Sequence, residues 1–166
     1  MSELEQRLQP ILGYLKLGMH QDAWDELDAL PPGMRAMDEV LEIRIKIYQE
    51  LGKWESARVL AESLARRSPE NADWWIEWAY AARRECSVEA GRSVLLEAFK
   101  IHPGVALIAY NLGCYACVLG EVEVACNLLT HAFGIDSSLK RVALDDPDLD
   151  RIYGVNLPEP PPFPIP

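Results

Sequence analysis

Positive charge is scarce in this chain. Its 16 Lys and Arg face 26 Asp and Glu, giving a net charge of −10 and a pI near 4.7. Binding a phosphate backbone needs clustered Lys and Arg, so nucleic acid is not an expected partner, and solubility accounts for the acidity. No run reaches the ~18–20 apolar residues of a membrane span. Met1-Ser2-Glu3-Leu4-Glu5 has no basic region leading into an apolar stretch. A secretory leader is therefore not expected, and a cytoplasmic location is. Histidine is limited to His20, His102 and His131. No Ser/His/Asp spacing and no Gly-rich phosphate loop accompanies them, so neither an enzyme nor a cofactor is expected.

Cysteine is equally sparse: Cys86, Cys114, Cys117 and Cys126. In a cytosolic chain these read as free thiols. A redox Cys-x-x-Cys wants its first thiolate exposed at a helix N-terminus. Cys114 and Cys117 instead lie inside an apolar run, so buried structural thiols are expected. A zinc site would need a second close pair, which Cys86 and Cys126 do not form. An enzyme using Cys114 and Cys117 is the alternative from a different class.

What the chain does contain is a beat. Leu17-Gly18 returns as Leu51-Gly52 and as Leu119-Gly120, with the missing return falling at Glu85-Cys86. Five residues after each Gly position stands a small residue: Ala23, Ala57, Gly91 and Ala125. Gly after the last helical turn can take the left-handed conformation that ends a helix. A small residue on the next helix lets the two helices approach. Pro69 and Pro103 stop later helices at the same period. A spacing of about 34 residues with this placement marks stacked helix–turn–helix units.

On these residues the chain resembles a tetratricopeptide repeat (TPR) protein. Four uninterrupted windows, 4–37, 38–71, 72–105 and 106–139, carry the pattern. The second is clearest, with Leu41, Tyr48, Gly52, Trp54, Ala57, Leu64 and Pro69. The third lacks the Leu-Gly turn. The first has Pro10 at a helix position, implying a kink or delayed start, and stops early at Pro31-Pro32, as an end repeat can. The resemblance implies an all-α superhelical solenoid of about four repeats, with a capping segment over 140–156 closing a domain of residues 1–156. Ser2 with Glu5 forms a capping box, and Asn71 and Ser87 cap later helices. Asp146-Pro147 opens a short terminal helix that Gly154 stops. The Pro-rich tail, 157–166, is expected to be extended.

The resemblance also implies a concave groove lined by the first helix of each window. By register it offers Leu8 and Leu12, then Glu42 and Lys46, then Ile76, Tyr80 and Arg83, and finally Leu107, Tyr110 and Cys114. Such a groove is charged in its middle and apolar at its C-terminal end. From 105 to 119 there is no charged residue, and a helix apolar on every side needs covering on every side. Either the capping segment covers it, or the tail does through Phe163 and Ile165, in its own chain or a second copy. That end and the tail also offer a route to self-association. A free tail presented to another protein's Pro-binding domain is the competing reading. Trp75 and Trp78 are expected in the core, and Trp74 on the surface. The implied function is a non-enzymatic scaffold binding a peptide or protein partner. A small acidic TPR-type chaperone for secreted proteins is the alternative. The family's clamp for acidic chaperone peptides needs Lys, Asn and Arg where this chain has Leu8, Leu12, Ile43, Asp73 and Glu77, so such peptides are not expected to bind.

Overall fold

The structure is a computed structural model, and it describes residues 1–154. The expectations for the Pro-rich tail, Phe163 and Ile165 included, lie outside the described residues. Helices follow one another through the chain: α1 (Glu3–Lys16), α2 (His20–Asp28), α3 (Pro32–Arg35), α4 (Asp38–Glu50), α5 (Trp54–Arg67), α6 (Ala72–Glu85), α7 (Val88–Ile101), α8 (Ala106–Val118), α9 (Val122–Ile135), α10 (Leu139–Leu144) and α11 (Asp150–Tyr153). A 3₁₀ turn, Pro147–Leu149, precedes α11. Among the described residues there is no strand, and the architecture is an all-α solenoid.

Local chemistry sets the helix ends. Ser2 and Glu5 exchange the two hydrogen bonds of a capping box at the start of α1. That helix begins at Glu3 and runs through Pro10, so the start is not delayed. Asn71 accepts from the Asp73 N–H, and Ser87 from the Ala90 N–H, opening α6 and α7. Gly18, Gly52 and Gly120 are left-handed, with φ of 71°, 68° and 85°. Where the beat is missing, Cys86 ends α6 at φ −111°, so that turn closes without a left-handed residue. Pro31 and Pro32 start the extra short helix α3 between the first pair and the second.

The longer helices pack as α1–α2, α4–α5, α6–α7 and α8–α9, each pair touching the next. Short connections make the partners antiparallel. α4 serves two cores. Its Ile45 joins the large core that runs to Ile152, while Val40, Ile43 and Ile47 join a smaller one with α1 and α2. Polar bonds tie each pair to its neighbour. Arg92 holds Glu121 with two bonds of 2.9 and 2.7 Å, Arg66 reaches Glu97 at 2.9 Å, and Arg58 pairs with Glu85. His102 donates to the Pro69 carbonyl at 2.8 Å, as His131 does to that of Pro103 at 3.0 Å.

The small positions are where helices nearly touch. Ala23, Ala57 and Ala125 are fully buried. Gly91 is tighter: a Cβ there would sit 2.7 Å from the Ala79 carbonyl oxygen, 2.9 Å from the Arg83 Cβ and 3.0 Å from the Tyr115 Cε2. Gly134, near the end of α9, has open space instead. The same substitution should therefore have opposite signs. Gly91→Ala is expected to destabilise by about 1–3 kcal/mol through overpacking, despite the better helix propensity of Ala. Gly134→Ala should stabilise by about 0.5–1 kcal/mol. Urea unfolding of both variants checks this, and a neutral or stabilising Gly91→Ala would contradict the close approach.

Candidate functional site

The first helices of successive pairs face a common cavity of about 460 Å³. α4 contributes Asp38, Glu39, Glu42 and Lys46, α6 contributes Asp73, Trp74, Ile76 and Glu77, α8 contributes Leu107, and Asn71 lines it just before α6. Of the residues read from the sequence, Glu42, Lys46, Ile76 and Leu107 thus share one cavity, although they are spread over three helices. Lys46 is held by Glu42 at 2.6 Å. Glu77 accepts from the Gln49 side chain at 2.6 Å. Burial pushes the Glu77 carboxyl above the usual carboxylate range, against the opposing pull of that hydrogen bond. Leu107 is exposed. Tyr80 is exposed too, and stands edge-on to Trp54 at 5.7 Å.

Five other expected groove residues are placed differently. Leu8 is buried in the small core with Ile11, Ala23 and Leu27, and Leu12, though exposed, is not part of the cavity wall. Tyr110, Cys114 and Arg83 meet the chain's own residues 146–149. Tyr110 donates its hydroxyl to Asp146 Oδ2 at 2.7 Å, and the Cys114 Sγ lies 3.6 Å from the same oxygen. Arg83 binds Asp148 through both guanidinium NH₂ groups, Nη2 to Oδ1 at 2.8 Å, and lies 4.8 Å over the Tyr115 ring. Leu149 and Ile152 complete the cover and are buried in the large core. The uncharged helix α8 is thus sealed by the capping segment, which leaves Tyr110 and Cys114 4 % and 2 % exposed.

Trp74 corrects another expectation. It is 3 % exposed rather than on the surface, because it packs into the large core as well as lining the cavity. Sequence reasoning also missed Asp146 and Asp148 as groove-closing residues. The available signals were the Asp-Pro cap and an α8 with no charge to keep it wet.

Cys114, Asp146 and Asp148 place three ligand-type atoms within 4.8 Å of one another. Their partners suit an internal latch rather than a metal site. Arg83 already supplies the positive charge and occupies both oxygens of Asp148, while Tyr110 holds Asp146. Burial, reinforced by the charges of Asp146 and Asp148, pushes the Cys114 thiol far up. The Cys117 thiol is raised by burial too. Neither sulfur is poised as a thiolate, which nucleophilic or redox chemistry requires.

Fold and site together define a TPR-like helical solenoid with a partly open groove. No protein-family model matches the chain, and no curated protein matches it in sequence. Among solved structures it is similar to MamA, residue 41 to the end, from Desulfovibrio magneticus RS-1. That match has 16% identity and a TM-score of 0.66, covering 82% of this chain and 77% of the other. A double mutant of MamA from RS-1, designated ArsTM, matches with a TM-score of 0.65 and 16% identity, over 84% and 78% of the two chains. At that identity the likeness is one of fold.

Two outcomes follow from the site. Native protein at about pH 8 should give one fast thiol with an aromatic disulfide reagent, the exposed Cys86, with Cys114, Cys117 and Cys126 reacting only after denaturation. Fast labelling of Cys114 in the native state would contradict the sealed helix. The second concerns Glu77. Its raised pKa stabilises the fold at pH below the ordinary carboxylate range, and that contribution is lost as pH rises through the folded value. Glu77→Gln should therefore raise the melting temperature near pH 7, and the gain should fade by about pH 3. An equal gain at both pH values would show that burial of the charge is not its source.

Proposed function

We propose that this protein is a non-enzymatic interaction module, a scaffold that receives a segment of a partner protein in the cavity between α4, α6 and the start of α8. In this reading the four helix pairs are four TPRs with 140–156 as their cap. The observation that carries it is the shared cavity: charged and apolar groups from three first helices converge on one open concavity of peptide-accommodating size. The buried, protonated thiols speak against chemistry at Cys114 and Cys117. The latch of residues 146–149 narrows the binding surface to the middle of the groove. Of the residues first assigned to it, Glu42, Lys46, Ile76 and Leu107 remain available, with Tyr80 alongside.

A photo-crosslinking amino acid at Leu107 tests this in source-cell extract. The same probe at Leu96, exposed on the outer helix α7, is the control. A partner is expected to be captured from Leu107 and not from Leu96, and to be lost when Ile76→Arg is added. Equal capture from both positions, or capture that Ile76→Arg leaves intact, would refute a groove-borne function.

A further inference from the structure

Resting on that groove reading, we propose that the cavity selects a basic, extended segment of a partner protein. Its Lys or Arg side chains would meet Asp38, Glu39, Glu42, Asp73 and Glu77, and one of its backbone carbonyls would accept from Trp74 Nε1.

Charge is the first ground. Five carboxylates line the cavity against one ammonium, that of Lys46. Glu42 is paired with Lys46, and Asp38 with Arg67 at 2.9 Å. Glu39 and Asp73 form no ion pair among the described residues, and the hydrogen-bond partner of Glu77 is the neutral amide of Gln49. Trp74, Ile76 and Leu107 supply low-dielectric walls beside these charges. A one-sign cleft with such walls focuses its field on an incoming ion. An ammonium or guanidinium arriving there would also favour the ionised form of Glu77, which burial now disfavours.

The second ground is independent of charge. Trp74 is in the wall of the same cavity, buried, and its Nε1–H has no hydrogen-bond partner among the described residues. The neighbouring Trp75 Nε1 shows the ordinary arrangement, donating to the Pro69 carbonyl at 3.0 Å. A buried indole N–H can be satisfied only by an acceptor. The side chains a basic segment brings are donors, but its backbone brings a carbonyl at every residue. Cations and an acceptor together describe a peptide, and an extended one, because a helix would already have used its carbonyls.

The chain itself is a poor occupant. Residues 155–166 contain Glu159 and no Lys or Arg, so this segment cannot neutralise the cavity. A second copy would bring another net charge of −10. Acidic peptides are repelled for the same reason.

The test uses the full chain and fluorescence anisotropy with a labelled ten-residue peptide alternating Lys and Ala, and its Glu–Ala counterpart. The Lys–Ala peptide is expected to bind saturably at low salt and to weaken as salt screens the charges, while the Glu–Ala peptide does not bind. Neutralising two exposed groove acids together, Glu39→Gln with Asp73→Asn, should weaken binding tenfold or more. Neutralising two exposed acids elsewhere, Glu26→Gln with Glu123→Gln, should not. Trp74→Phe keeps an aromatic ring and removes the donor, and should cost several-fold with an unchanged circular dichroism spectrum. Spermine, which carries charge without a carbonyl, should compete only at much higher concentration. Equal losses from the groove and control pairs, no loss from the groove pair, or equal binding of the Glu–Ala peptide would overturn the proposal. If Leu107 crosslinks a partner while the Lys–Ala peptide ignores the cavity, the groove reading survives and basic selectivity falls. If Leu107 captures nothing either, both fall.

Discussion

Close approach of two helices at one small side chain is the constraint on which this molecule depends. Ala23, Ala57, Gly91 and Ala125 each stand at the crossing of their pair. At Gly91 there is no room even for a methyl group between α7, the Ala79 carbonyl and Tyr115. Interiors are packed to the density of organic crystals, so a crossing this tight determines where the next helix lies. Repeated along the chain, it generates a stack in which each pair leans on its neighbours. The polar links follow the same logic. Pro69 and Pro103 offer carbonyls at the ends of α5 and α7, and a His one pair further on donates to each.

A stack of this kind exposes the face lined by its first helices along its whole length, yet only part of that face is open. The C-terminal end is sealed because α8 has no polar face of its own. Leaving its apolar surface wet would forgo about 25 cal/mol for each Å² that the cover removes from water. Residues 146–153 supply that cover. Their polar groups are accommodated by pairing: Asp148 with Arg83, and Asp146 with Tyr110. The result is a groove whose hydrophobic end is internal structure and whose open middle is acidic. Recognition in such a site is governed by charge sign and by hydrogen-bond acceptors, with apolar contact from Ile76 and Leu107 in support.

The cavity also carries features that stability alone would not select. Glu77 is partly buried as a carboxylate beside other acids, and Trp74 holds a buried donor without a partner. A partly desolvated carboxylate and an unsatisfied buried donor each cost free energy in the absence of a ligand. Their coincidence in one concavity, rather than scattered through the structure, is what directs attention to it.

The sequence by itself determined the helix pairs and their register, down to residues. Left-handed Gly18, Gly52 and Gly120, the caps at Ser2, Asn71 and Ser87, and the stops at Pro69 and Pro103 act over a few residues of backbone. Such local chemistry can be read without knowing what lies opposite. The demand for a cover over α8 was legible as well, from a run without charge. The identity of the cover was not. Tyr110 meets Asp146 from 36 residues away, and Arg83 meets Asp148 from 65. Nothing periodic marks those pairs. Trp74 was misplaced for the same reason: helical spacing gives a side chain's direction but not what stands in front of it. Which end of the groove stays open is therefore decided by long-range contacts alone, since only the folded chain brings residues 146–149 against α6 and α8.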